Sequence, residues 1–241
     1  MPMKLNGCVH ILSGRVKCLK MSLESFYDNY NRIYDYPVYV YYFDPLYSKE
    51  HINDIHISIS PKINFIELDY SLPKHFSKSE LFLYRDNDYA KKNFGTNRIG
   101  YLHMINYFVN FFDYEKTQFS KYDYTMSFDD ESLFLKPIEF DIFEKLKEKN
   151  ILMGSMNVTK RNIPPSQRTL DTRENQFEFV KYYIEKYRIH QDTKEFNLLL
   201  DPNSFHSYTV TDSNVFNLKL LNTKAAIRWR REINKYAGTY K

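Results

Sequence analysis

The chain has 241 residues, enough for one large or two small domains with a real core, and its 43% hydrophobic and 27% charged residues exclude a disordered or fibrous polypeptide. Its net charge of +4 suits an anionic small ligand, and the scattering of the basic residues argues against nucleic acid as a partner. Two cysteines, Cys8 and Cys18, are too few for a disulfide framework or a zinc site and point to a reducing compartment.

The 22 Tyr and 19 Phe, set against 6 Gly, fit the codon bias of an AT-rich genome and carry no functional message. No apolar run approaches the roughly 20 residues that span a bilayer, and the N-terminus lacks a signal-peptide pattern. A cytoplasmic protein of microbial or viral source is the resulting expectation.

In chain order, "GCVHIL" (7–12) is a short β-rich run that stops at Ser13-Gly14. Apolar residues then recur at Val16, Leu19, Leu23, Phe26, Tyr30 and Tyr34, the spacing of an amphipathic helix. "YPVYVYYF" (36–43) predicts a buried strand closed by Asp44-Pro45, "SKEHINDIHISIS" a short helix, and "INFIEL" (63–68) a third strand. This rhythm predicts an α/β fold with a mostly parallel central sheet flanked by helices.

Residues 71–97 are polar, with Pro73 and Gly95, and are expected to form a long irregular excursion. A second amphipathic helix is predicted over 98–113, with Ile99, Leu102, Ile105, Phe108 and Phe112 on one face. "YDYTMSF" predicts a fourth strand, "SLFL" a short strand after it, and 139–149 a helix. Another strand, "ILMGSM", precedes a proline-containing loop with Arg161 and Arg168; a helix over 173–189 and a C-terminal helix over 214–236 complete the reading. Nothing forces two domains, so a single domain over 1–241 is expected.

The fourth strand runs into Asp129, Asp130 and Glu131, three adjacent acids with no basic residue beside them in sequence. In open α/β sheets ligands bind at the carboxyl ends of strands, which is where hard-cation ligands are useful. On an extended backbone Asp129 and Glu131 point to one side, so both could reach one ion that in turn holds a diphosphate. The competing reading is a solvated acidic turn. An acidic pair after the fourth strand is also the arrangement of sugar-nucleotide-dependent glycosyltransferases of the GT-A type.

The block from Asn97 to Phe143 resembles the central block of the fungal α-1,2-mannosyltransferases, glycosyltransferase family 15. The likeness rests on Tyr101-Leu102-His103-Met104, Phe111-Phe112, Lys121-Tyr122-Asp123-Tyr124, Asp129-Asp130-Glu131 and Asp141-Ile142-Phe143. "CVHIL" and "SLESFYDNYNRIYDYPVYVYYFDPLYS" are similar to that family's first strand, helix and second strand, and "FHSYTVTDSNVFN" resembles a later segment. The family's Glu-Pro-Asp is Asp-Asp-Glu here, its glycosyl-facing Glu is Asp212, and an Asn is Val210. The family also continues to a C-terminal metal-binding histidine and carries an N-terminal membrane helix; neither is visible in this sequence.

What the resemblance implies is a GT-A-like glycosyltransferase, with a nucleotide-binding half over about 1–135 and an acceptor and catalytic half over about 136–241. Asp129, Glu131 and His206 would be metal ligands for Mn²⁺ or Mg²⁺. Ser13, Gly14, Arg15, Tyr101 and Asp130 would serve the donor. Arg161 and Arg168, from their place in the proline-containing loop, could close over its diphosphate or be solvated surface charges. Asp212 would face the anomeric carbon; an N-cap for the predicted C-terminal helix is its competing role. Tyr101 and His103 lie two apart on one helix, so one of them is expected in the core.

The implied donor is GDP-mannose, with a UDP-sugar as the alternative, and the acceptor a glycan or glycoprotein. A metal-dependent phosphohydrolase or nuclease, and a binding module without turnover, are the rival classes.

Overall fold

Strand β1 (Gly7–Ser13) is buried almost throughout because its apolar residues serve both faces of the sheet: Val9 and Ile11 on one, Cys8 and His10 on the other. The computed structural model describes residues 5–43, 47–68, 103–104, 107–108, 111, 116–160, 173–189 and 208–235. Helix α1 (Val16–Phe26) follows β1, passes into a π-helical turn over Tyr27–Asn31 and ends with Arg32–Tyr34. Asp35 ends it in the left-handed region at φ 51°, and the buried Asn31 amide bonds both the N–H and the carbonyl of Tyr36, which fixes the entry into β2 (Val38–Phe43).

The expected short helix is α2 (Lys49–Ser58), whose first turn is closed by a reciprocal capping box between Ser48 and His51. Strand β3 (Ile63–Leu68) follows as predicted. Later elements are α3 (Lys116–Phe119), β4 (Tyr124–Phe128), α4 (Ile142–Glu148), β5 (Met153–Lys160), α5 (Arg173–Lys186), β6 (Tyr208–Asn217), α6 (Leu218–Leu221) and α7 (Lys224–Lys235). The excursion over 71–97 and the loop with Arg161 and Arg168 lie outside the described residues. Of the helix expected over 98–113, residues 103–104, 107–108 and 111 are described and helical. Their buried stripe is His103, Tyr107 and Phe111, which puts His103 in the core; Tyr101 lies outside the described residues.

The six strands form one sheet in the order β3-β2-β1-β4-β6-β5. The β1–β2, β1–β4 and β2–β3 pairs are parallel and β4–β6 is antiparallel, so the central sheet is mostly parallel, as predicted. One face carries Val9, Ile11, Val38, Val40, Met126 and Phe128 against Leu19, Leu23 and Phe26 of α1 and Phe143 of α4. The approach of α4 is close at Gly7, where an added Cβ would lie 2.3 Å from the Phe143 ring. Only glycine fits there.

Two elements differ from expectation. "SLFL" is not a strand: Phe134 is buried while Leu133 and Leu135 are exposed, and no neighbouring strand pairs with it among the described residues. Its backbone is satisfied instead by side chains of the first helix, Ser25 accepting from Phe134 N–H and Asn29 donating to Phe134 C=O. The C-terminal helix expected from 214 begins later, because residues 208–217 form β6, whose Ser213–Asn217 stretch pairs with β4. Asn217 caps α6 by accepting from Lys219 N–H, so the N-cap reading of Asp212, five residues upstream inside a strand, is withdrawn.

Contacts divide the chain into two units, one of Met1–Ser71, Glu115–Asn157 and Thr211–Asn222, the other of Leu72–Tyr114, Val158–Val210 and Thr223–Lys241. The first holds β1–β4 with α1, α2 and α4. In the second, α5 and α7 pack through Phe179 and Tyr183 against Trp229 and Ile233. No helix among the described residues is long and apolar enough to cross a membrane.

Candidate functional site

β1 is the point where the sheet changes direction: β2 and β3 extend from one side of it and β4 from the other. Such a switch point opens a crevice between the carboxyl ends of the two diverging strands. The register, Gly7 to Tyr124 through His10 to Ser127, brings the residue after each strand to that same edge. The segments that meet there are Ser13-Gly14-Arg15 and Asp129-Asp130-Glu131.

Asp130 is 2% exposed and turned into the loop after β1. Its Oδ2 accepts from Ser13 Oγ at 2.8 Å, Gly14 N–H at 3.0 Å and Arg15 N–H at 2.9 Å. Its Oδ1 accepts from Arg15 Nε at 2.9 Å and Nη2 at 2.5 Å, and Arg15 Nη1 reaches Glu131 Oε2 at 2.5 Å. The counter-charge missing beside the acids in sequence is therefore Arg15, and the acidic cluster is not merely a solvated turn.

The local reason lies in α1. Its N-cap position is Arg15, which makes no side-chain cap, and its first turn holds no acid. Asp130, arriving from the neighbouring strand, satisfies N–H groups at that helix start and places a negative charge at the positive end of the dipole. The position an external anion would take at the N-terminus of α1 is thus filled by the protein's own carboxylate.

Around this clamp, Ser13 Oγ also meets the buried Tyr47 hydroxyl, whose pKa burial pushes up while the Ser13 contact draws it down. The bond to Asp130 raises the Arg15 guanidinium further above its already high ordinary value, so it remains a cation throughout the folded range. Half of the Arg15 side chain and 59% of Glu131 stay exposed. Asp129 is half-buried at the strand end, its carbonyl accepting from Ser132 N–H at 3.0 Å in a tight turn.

Ser13, Gly14, Arg15, Asp129, Asp130 and Glu131 are thus gathered at one edge. Asp212 is described by its backbone alone, as the residue before Ser213 of β6, which pairs with Phe128 at the end of β4. Tyr101, His206, Arg161 and Arg168 lie outside the described residues. Tyr47 escaped the sequence reading; the one signal for it was its place just after the second strand, on the same edge of a parallel sheet.

Among the described residues no group of three or more His, Cys, Asp or Glu is placed to hold a metal ion. Asp129 and Glu131 are nonetheless the oxygen donors a hard cation takes, and Mg²⁺ is commonly held by one or two carboxylates together with substrate phosphates. Asp130 is unavailable to such an ion because the loop occupies both its oxygens. The residues fit an open site shared with a diphosphate, with Glu131 divided between an ion and Arg15.

No protein-family model and no curated protein matches the chain. Solved structures do. The mannosyltransferase Ktr4p from S. cerevisiae, in complex with GDP, is 17% identical with a TM-score of 0.76, over 98% of this chain and 63% of that one. Core-mannan synthase A (CmsA/Ktr4) from Aspergillus fumigatus, in a Mn/GDP form, is 11% identical with a TM-score of 0.79, over 98% of this chain and 65% of that one. The chain thus spans a little under two thirds of the length of these structures and shares their GT-A-type fold.

Proposed function

We propose that this chain is a nucleotide-sugar-dependent glycosyltransferase, moving a hexose, mannose by resemblance, from GDP-mannose to a hydroxyl of a glycan or glycoprotein. The observation that carries the reading is the Arg15–Asp130–Glu131 clamp at the β1/β4 switch point of a GT-A-type sheet. Further support is the fold shared with structures that hold GDP, one of them with Mn.

In this reading the half-exposed Arg15 offers its charge to the donor diphosphate, and Asp130 holds it and the Ser13-Gly14 backbone in position. Ser13 and Gly14 line the loop that meets the nucleotide, and Tyr101 forms a wall for its base. Asp129, Glu131 and His206 would hold Mn²⁺ or Mg²⁺, which when bound supplies positive charge to the departing diphosphate. Asp212, on the strand that pairs with β4, faces the anomeric carbon and stabilises positive charge there or attacks it. The nucleotide-binding half is about 1–135, and the acceptor and catalytic half about 136–241.

A thermal-shift panel of GDP- and UDP-sugars, with and without Mn²⁺, tests the donor site. One nucleotide class should stabilise the protein in a metal-dependent way, and Asp129→Ala with Glu131→Ala should abolish the shift. Stabilisation by UDP-sugars alone would replace the guanosine donor; no shift with any nucleotide would remove the donor site.

A further inference from the structure

The C-terminal helix α7 reads "KAAIRWRREINK", and Lys224, Arg228 and Arg231 fall at i, i+4 and i+7, on one face. Like charges at that spacing repel. That face lines a cavity of 460 Å³ together with Tyr187, Ile227 and Glu232. This is the size range of small-molecule sites.

The one carboxylate there among the described residues does not neutralise the three cations. Glu232 is buried, is held by Lys186 Nζ at 2.5 Å, and also bonds the Tyr187 hydroxyl. Lys224 and Arg231 are exposed and have no hydrogen-bond or ion-pair partner among the described residues. The Arg228 guanidinium carbon sits over the Tyr187 ring, 4.3 Å from its centroid, and its Nε donates to the Tyr183 hydroxyl at 3.3 Å. Its orientation is fixed while its terminal nitrogens keep no acceptor among the described residues. A held guanidinium with an open fork, flanked by two cations without an ion-pair partner among the described residues, over a concave apolar floor, matches a phosphoryl group.

We propose that this cavity binds a soluble phosphate-bearing ligand through Lys224, Arg228 and Arg231. A membrane headgroup would present the same chemistry, but helices that lie on membranes insert their apolar face. Here that face is consumed: Trp229 sits 4.8 Å from Phe179 and 4.9 Å from Tyr183, ring edge to face.

Trp229, the sole tryptophan, adjoins Arg228 and reports on the site without a label. Its fluorescence is followed as inorganic phosphate or pyrophosphate is added in EDTA, with ionic strength held constant by chloride, so that a metal-dependent diphosphate site contributes nothing. A saturable change is expected, weakened about tenfold or more by Arg231→Gln and abolished by adding Lys224→Gln. Both residues are exposed, with no side-chain partner among the described residues, so these variants should fold as the wild type does by circular dichroism. The Asp129→Ala, Glu131→Ala protein should respond as the wild type. An equal response to chloride, unaltered binding by the Lys224 and Arg231 variant, or binding to phosphatidylserine vesicles without any response to pyrophosphate would each overturn the proposal.

Discussion

Replacing Asp130 with alanine removes the acceptor shared by Ser13 Oγ, Gly14 N–H, Arg15 N–H and the Arg15 guanidinium. Hydrogen bonds to a charged group contribute roughly 1.5–3 kcal/mol each, but three of these four donors recover water on truncation. Gly14 and Arg15 N–H are only part-buried, and the Arg15 side chain is half exposed, so solvent screens most of its ion pair. Ser13 is buried and recovers little. The net loss comes to about 3 kcal/mol, at the lower end of what breaking a buried pair costs.

For a chain of this length that is a fall in Tm of about 6–12 °C, readable by circular dichroism or urea titration. Asp130→Asn keeps one oxygen for the loop N–H groups but loses the charge and turns an amide donor toward Arg15. Its loss should be about half as large. An alanine variant within about 0.5 kcal/mol of wild type would refute the clamp as the element that orders the β1–α1 loop.

The two glycines beside β1 should behave oppositely. Gly7→Ala drives a methyl into the fully buried Phe143 ring and should cost about 1–3 kcal/mol in urea titration. Gly14→Ala meets nothing within 4 Å and should leave stability unchanged while weakening nucleotide in the thermal-shift panel.

His10 is buried beside Thr125 and Phe119, and burial lowers its pKa from 6.5 to about 3. Below pH 6.5 the unfolded chain takes up a proton that the native imidazole refuses, so its contribution to stability falls with pH by about 1.4 kcal/mol per unit until about pH 3. Stability measured across pH 4–6 should lose that one-proton slope in His10→Gln; an unchanged slope would contradict the assignment.

Much of the sheet was legible because β1, β2 and β3 are short apolar or aromatic runs with sharp ends, and a parallel sheet buries both faces of such runs. "SLFL" carried the same alternation, but Phe134 was answered by Phe26 and Phe128 rather than by a paired strand. Residues 208–217 were obscured for the opposite reason. Their Thr, Asp, Ser and Asn read as a helix start, while the pairing of 213–217 with β4, which local propensity cannot see, draws this stretch into a strand.

At the site, the three acids announced themselves by their place at a strand end. Their counter-charge could not, because Arg15 lies 115 residues from Asp130 and only the β1–β4 adjacency joins them. Asp212 was noticed by resemblance; the structure adds that it lies on β6, next to the Ser213 that pairs with Phe128.

Release of nucleotide from a sugar donor in the presence of an acceptor tests the account most directly. With Mn²⁺ and an oligomannoside, wild-type protein should release GDP from GDP-mannose and lengthen the acceptor. Asp212→Ala should still bind GDP, by calorimetry, and release none above background. Normal turnover by the Asp212 variant would contradict its catalytic assignment, and a wild-type protein that binds nucleotide but consumes no sugar donor would contradict the transferase itself.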